Sequence, residues 1–112
     1  MKQRRFPRIQ LNSKVFIRTT GRSFSANSEN LSMHGIFVNT NENIAKGASV
    51  ELDIMVPCAS RCPYMKIHGM INRVEQSGVA IEFTRMEPDV FLCLKNVIQK
   101  RSPHRLKPYM GS

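Results

Sequence analysis

Between residues 50 and 56, Val50, Leu52, Ile54 and Val56 alternate with Glu51, Asp53 and Met55. An apolar period of two over seven residues describes a strand with one buried face, and such a strand needs partners patterned the same way. The sequence supplies them. Val15-Phe16-Ile17 opens a strand running to about Thr20, and Gly21-Arg22 reads as its turn. Residues 24–31 are its antiparallel partner, and 36–39 form the next strand. Lys46-Gly47 marks another turn. Residues 64–74 are a further strand, with Gly69 as a bend or a point of close approach. Ser77-Gly78 is a short turn, after which Val79, Ile81 and Phe83 alternate again. About six short strands joined by tight turns predict an all-β fold, a small six-stranded antiparallel β-barrel, because closure leaves no exposed edge.

The period then lengthens. Pro88 stands where a first helical residue belongs, with Glu87 and Asp89 beside it at the positive helix end. Val90, Phe91, Leu94, Val97 and Ile98 share one helical stripe, and Lys95, Lys100 and Arg101 gather toward the C-terminus. This C-terminal α-helix should lay its stripe on the barrel or on another subunit, and Ser102-Pro103 ends it. The expected organisation is a basic N-terminal arm over residues 1–12, a barrel with its helix over 13–101, and a flexible tail over 102–112. In the arm, Pro7 disfavours helical geometry at Phe6. Arg4 and Arg8 then project to one side of an extended chain, roughly 13 Å apart.

A chain of 112 residues holds one domain. No apolar run is long enough to cross a membrane. The charged N-terminus has no apolar segment behind it, so it does not read as a signal peptide, and a cytoplasmic location is the expectation. Cys58 and Cys62 read as thiols of a proline-bounded loop. With Cys93 distant and His34, His68 and His104 scattered, no metal site is expected. The formal net charge is +9, unevenly spread: residues 1–22 hold seven basic residues and 95–112 hold five, both without an acid. The ends therefore carry +12 and the middle −3. An anionic partner met by the ends is implied, against the plainer reading of two solvated tails.

The stretch Asn30-Leu31-Ser32-Met33-His34-Gly35 falls between two strands. Gly35 is expected to take a positive φ there, and Asn30 and Ser32 have the chemistry to cap the turn through their own backbone. Arg4-x-x-x-Arg8 followed by Asn30-x-Ser32-x-x-Gly35 resembles the PilZ domain, whose signature is RxxxR and then (D/N)xSxxG. The likeness covers residues 3–101, including the barrel and its trailing helix. It implies a receptor for the second messenger cyclic di-GMP, with no other cofactor. By that resemblance Arg4 and Arg8 grip guanine edges and phosphates, with Arg5 adding phosphate charge. Asn30 offers its amide oxygen to a guanine N–H, Ser32 its hydroxyl to a phosphate, and Gly35 lets the backbone come close. Arginine suits the task, since its planar fork pairs with phosphate oxygens or with guanine O6 and N7. Asn30 in place of Asp forgoes the charge that strengthens a bond to guanine N–H groups.

An enzyme is not expected, because no nucleophile, base and oxyanion set can be assembled. The receptor would act through an unidentified protein partner, in motility, attachment or exopolysaccharide control, without membrane insertion. Two alternatives remain: a small basic barrel that binds single-stranded nucleic acid, and a PilZ-like adaptor that binds no nucleotide. The first would need aromatics across a β-face. The chain has no Trp, two Tyr and six Phe, and the Phe residues fall mostly in apolar runs, as core would. Met33, Met55, Met65, Met70 and Met86 likewise read as core filler, and His34 as a turn residue.

Overall fold

Antiparallel pairing carries the alternation around a closed ring. The computed structural model describes residues 8–56 and 63–101. The strands are β1 (Ile9–Gln10), β2 (Lys14–Thr19), β3 (Arg22–Leu31), β4 (Gly35–Asn39), β5 (Ser49–Met55), β6 (Tyr64–Glu75) and β7 (Gly78–Arg85), and the helix α1 is Pro88–Arg101. The sheet runs β1-β3-β2-β5-β6-β7-β4, and β4 returns to pair with β3. Six strands thus form a closed antiparallel barrel with β1 as an extra strand.

β3 is the hub. Its first part pairs with β2, from Thr19↔Arg22 to Lys14↔Asn27, and its end pairs with β1 through Gln10↔Asn30 and Ile9↔Leu31. β1 and β2 are therefore two pieces of one extended run along the same edge of β3. Its other edge pairs with β4, with a register shift between Ser28 and Asn30. Ile9 and Leu11, inside the stretch expected as an arm, are each 2% exposed and belong to the core. Two apolar residues flanking one glutamine were too short a pattern to read as a strand.

Inside the barrel lie Val15, Ile17, Leu31, Leu52, Ile54, Met65, Ile67, Ile71 and Ile81, all buried. The phenylalanines depart from expectation. None of the described ones is buried: Phe16, Phe24, Phe37 and Phe83 are half-buried and Phe91 is exposed. Inward positions of a narrow barrel are taken by branched aliphatic side chains, which fill the space without a ring's length. Of the five methionines expected as filler only Met65 is buried, while Met33 and Met86 pack against the core from its margin. The helix seats Leu94 and Ile98 fully, with Val90, Cys93 and Val97 beside them, and packs chiefly against β6. Phe91 leaves the expected stripe and faces out.

Two turns fall one residue earlier than the sequence indicated. Thr20-Gly21 closes β2 to β3, with Gly21 at φ 71°, and Gln76-Ser77 closes β6 to β7. Gly69 sits at a register shift between β6 and β7, as a bend would. Gly35 differs from its reading: positive φ among the described glycines belongs to Gly21 and Gly47 only. Gly35 instead opens β4 in extended geometry, where a Cβ would land on the Ile81 carbonyl oxygen of β7. Glycine is needed there for strand approach. Gly35→Ala should therefore force β4 and β7 apart and cost about 1–3 kcal/mol, as overpacking does. Urea unfolding measures this, and an unchanged midpoint would refute the close-approach role.

Candidate functional site

The register of β1 on β3 decides which side chains meet. Gln10 faces Asn30 across the pair. The pairing ends one step on, at Ile9 and Leu31, and the residues next beyond it on the two chains, Arg8 and Ser32, both line one groove. Residues 24 positions apart in sequence thus reach the same groove.

This register is held by a serine clasp. Ser28 is 2% exposed and Ser13 is 7% exposed. The Ser13 N–H donates to Ser28 Oγ at 2.9 Å, and the Ser28 N–H donates to the Ser13 carbonyl at 2.8 Å. The Ser28 hydroxyl donates in turn to the Leu11 carbonyl, and the Leu11 N–H to the Glu29 carbonyl at 3.2 Å. Where the run from β1 to β2 loses ladder pairing, side-chain bonds replace it. The segment that carries Arg8 is thereby stitched to the strand that carries Asn30.

The turn from β3 to β4 is built by the motif's own polar groups. The Ser32 N–H donates to the Gly35 carbonyl at 2.9 Å, and the His34 N–H donates to Ser32 Oγ at 3.1 Å. Ser32 therefore does cap the turn. Its oxygen accepts, which leaves the hydroxyl proton to donate outward. Among the described residues no hydrogen bond engages the Asn30 amide, which is half-buried at the groove wall.

From Asn30 the groove crosses three further strands on the outer face. Asn30 pairs with Phe37, Phe37 with Ala80, and Ala80 with Arg73. Gly35 and Ala80 present almost no side chain between bulkier neighbours, so a trough of about 670 Å³ opens over them. That volume lies in the usual range of roughly 300–1,000 Å³ for small-molecule sites. Arg8 and Arg73 supply its cations, and Glu29, Glu75 and Glu82 its carboxylates.

The outer face of β2, β5 and β6 is electrostatically different. Arg18 bonds Glu51 at 3.0 Å and Asp53 at 3.1 Å, and Lys66 lies 3.6 Å from Asp53. Hydrogen bonds that Arg18 donates to Asp53 and then to Glu51 push its pKa above its already high ordinary value. These cations are occupied by internal partners, so this face offers an anion little. Among the described residues no cluster of His, Cys, Asp or Glu is placed to hold a metal ion, and no helix is long and apolar enough to cross a membrane.

Of the residues singled out from sequence, Arg8, Asn30, Ser32 and Gly35 line this one groove. Arg4, Arg5, Cys58 and Cys62 lie outside the described residues. Phe37, Arg73 and Glu82 were missed, since only strand register reveals that they share the outer face with Asn30. The alternation of 78–83 held the available clue, because its non-core positions include Ala80 and Glu82.

The family model of the PilZ domain matches residues 2–100. The chain belongs to the PilZ domain family. Solved PilZ-type structures share its fold. The motility inhibitor MotI/DgrA of Bacillus subtilis superposes with a TM-score of 0.75 at 18% identity, over 89% of this chain and 52% of that one. This chain spans about half the length of that inhibitor. The PilZ domain of YcgR from Escherichia coli, solved with c-di-GMP, gives 0.70 at 11% identity, covering 89% of this chain and 92% of that one. The PilZ domain of CeSA from a cellulose-synthesizing bacterium gives 0.64 at 14%, covering 81% and 93%. No curated protein sequence matches the chain.

The clasp makes a local prediction. Ser28→Ala leaves the buried Ser13 N–H unpaired at a cost of about 1–3 kcal/mol. Amide exchange at Ile9, Gln10 and Leu11 should quicken more than exchange in β5. Equal protection in variant and parent would show that the clasp does not hold β1.

Proposed function

We propose that this PilZ domain is a receptor for cyclic di-GMP that relays the messenger's level to a partner protein by binding, without catalysis. The observation that carries the reading is the gathering of Arg8, Asn30 and Ser32 in the lining of one groove of suitable size. A cyclic dinucleotide presents two phosphates and two guanine edges. The Arg8 guanidinium suits either, as a fork for phosphate oxygens or for guanine O6 and N7. The outward hydroxyl proton of Ser32 suits a phosphate oxygen, and the unengaged Asn30 amide suits a guanine N–H. Arg4 and Arg5 belong to the same reading, adding positive charge from the N-terminal side.

Binding fits the groove, which is polar and open. The message then leaves as a changed surface or changed partner affinity. The motility inhibitor and the cellulose-linked CeSA suggest partners in motility, attachment or exopolysaccharide production, and a cytoplasmic site of action follows from the ligand.

Calorimetry at moderate salt should give saturable binding of cyclic di-GMP and little of GTP or short single-stranded DNA. Arg4→Ala, Arg8→Ala and Asn30→Ala should each weaken it by roughly 1.5–3 kcal/mol, about ten- to a hundredfold. Arg8→Lys should not restore binding fully, because a point charge does not reproduce a planar fork. Lys107→Ala removes the same charge from the opposite end of the chain and should change little beyond a screened long-range effect. Equal losses from Lys107→Ala and Arg8→Ala would make net charge the cause and refute the pocket, and tighter binding of DNA would refute the receptor.

A further inference from the structure

The groove has a second wall outside both motif segments. Arg73 on β6 stands in the same cross-strand row as Asn30, three strands away through Phe37 and Ala80. At the usual strand spacing that is roughly 14 Å along the sheet. Between them stand Phe37 and the small Ala80, and all four residues line the trough. Arg73 is 59% exposed, and its Nε donates to Glu75 Oε2 at 2.6 Å. Among the described residues no hydrogen bond takes its two terminal nitrogens. Arg73 and Glu75 are two residues apart on one strand face, so this contact runs along β6.

We infer that Arg73 supplies a further arginine to the bound ligand and is parked on Glu75 until the ligand arrives. The inference rests on the cyclic di-GMP reading. An ion pair this exposed holds weakly and is readily exchanged for a better acceptor. A phosphate or the O6/N7 edge of a guanine is such an acceptor, since it engages the terminal nitrogens that Glu75 leaves unused. Glu75 has two effects on the site: it keeps Arg73 at the groove wall and it competes with the ligand for that guanidinium. The sign of the Glu75 effect therefore separates this arrangement from a merely structural surface pair.

The test is calorimetric titration of the full chain with cyclic di-GMP. Arg73→Ala should weaken binding about tenfold. Arg73→Gln keeps the apolar stem on the sheet and should weaken it similarly, which assigns the loss to charge and not to packing. Glu75→Gln should tighten binding about two- to fivefold by releasing Arg73. In the Arg73→Ala background Glu75→Gln should have no effect, because the competitor then has nothing to hold. Lys66→Ala, on β6 but outside the groove lining, serves as the charge control. Unaltered binding by both Arg73 variants overturns the inference. So does a Glu75→Gln effect that persists in full without Arg73, which would mark simple repulsion of an anion. Failure of the unmodified chain to bind cyclic di-GMP overturns the functional reading itself and this inference with it. Binding by the unmodified chain with indifferent Arg73 variants overturns the inference alone.

Discussion

Pairing of β3 along both of its edges is the constraint on which the site depends. Over residues 27–31 this strand holds β4 on one side, while β1 and the start of β2 lie on the other. Its register shift between Ser28 and Asn30 lies at the level where the opposite edge passes from β2 to β1. A one-residue slip would turn every side chain of a strand to its other face. Buried Leu31 and exposed-side Asn30 are adjacent residues, so the register that buries one presents the other. The core thus fixes the site's geometry. Leu31, Ile36 and Ile81 are paired in a row beneath the groove while Asn30, Phe37 and Ala80 are paired in the row above.

The same economy explains the serines. Ser28 and Ser13 are the two polar residues buried among the described ones, and each bonds the other's backbone or accepts from it. A buried hydroxyl without a partner is costly, so its bonds specify one arrangement of the chain and exclude slipped ones. The hydrophobic side chains Ile9 and Leu11 supply the driving force for docking β1, and the serine clasp supplies its position. Together they hold the segment that leads to Arg8 against the strand that carries Asn30.

Much of the fold was legible because strand periodicity is local. The alternations at 50–56 and 79–83 and the capped, striped helix from Pro88 can be read within a dozen residues. The motif residues were legible as types in an order, which is how the family resemblance arose. Register was not legible, because it depends on which strands meet and with what offset. That is why Phe37, Ala80 and Arg73 escaped notice although they complete the groove with Asn30. The phenylalanines misled for a related reason. An apolar run says that residues alternate between faces, and it was Phe16 and Phe37 that fell on the outward phase, opposite in sense to Ile17 and Ile36. Gly35 shows the same limit: its type suggested a backbone angle, while its cause is the nearness of Ile81 in another strand.

Charge illustrates why a total is a poor guide to a binding face. The chain carries +9 formally, yet several arginines and lysines are consumed internally. Arg18 and Lys66 are tied to Glu51 and Asp53, and Arg22 is tied to Glu42. Each such pair lowers the field its cation presents to an incoming anion, and salt screens what is left beyond about 8–10 Å. The cations that shape the groove are those that escape strong internal pairing. Arg8 has no ion pair among the described residues, and Arg73 has one exposed partner that also belongs to the groove. Incomplete pairing, and not the total, therefore decides where the surface would draw an anion. In this barrel that place coincides with the small residues Gly35 of β4 and Ala80 of β7, in a groove that both arginines line.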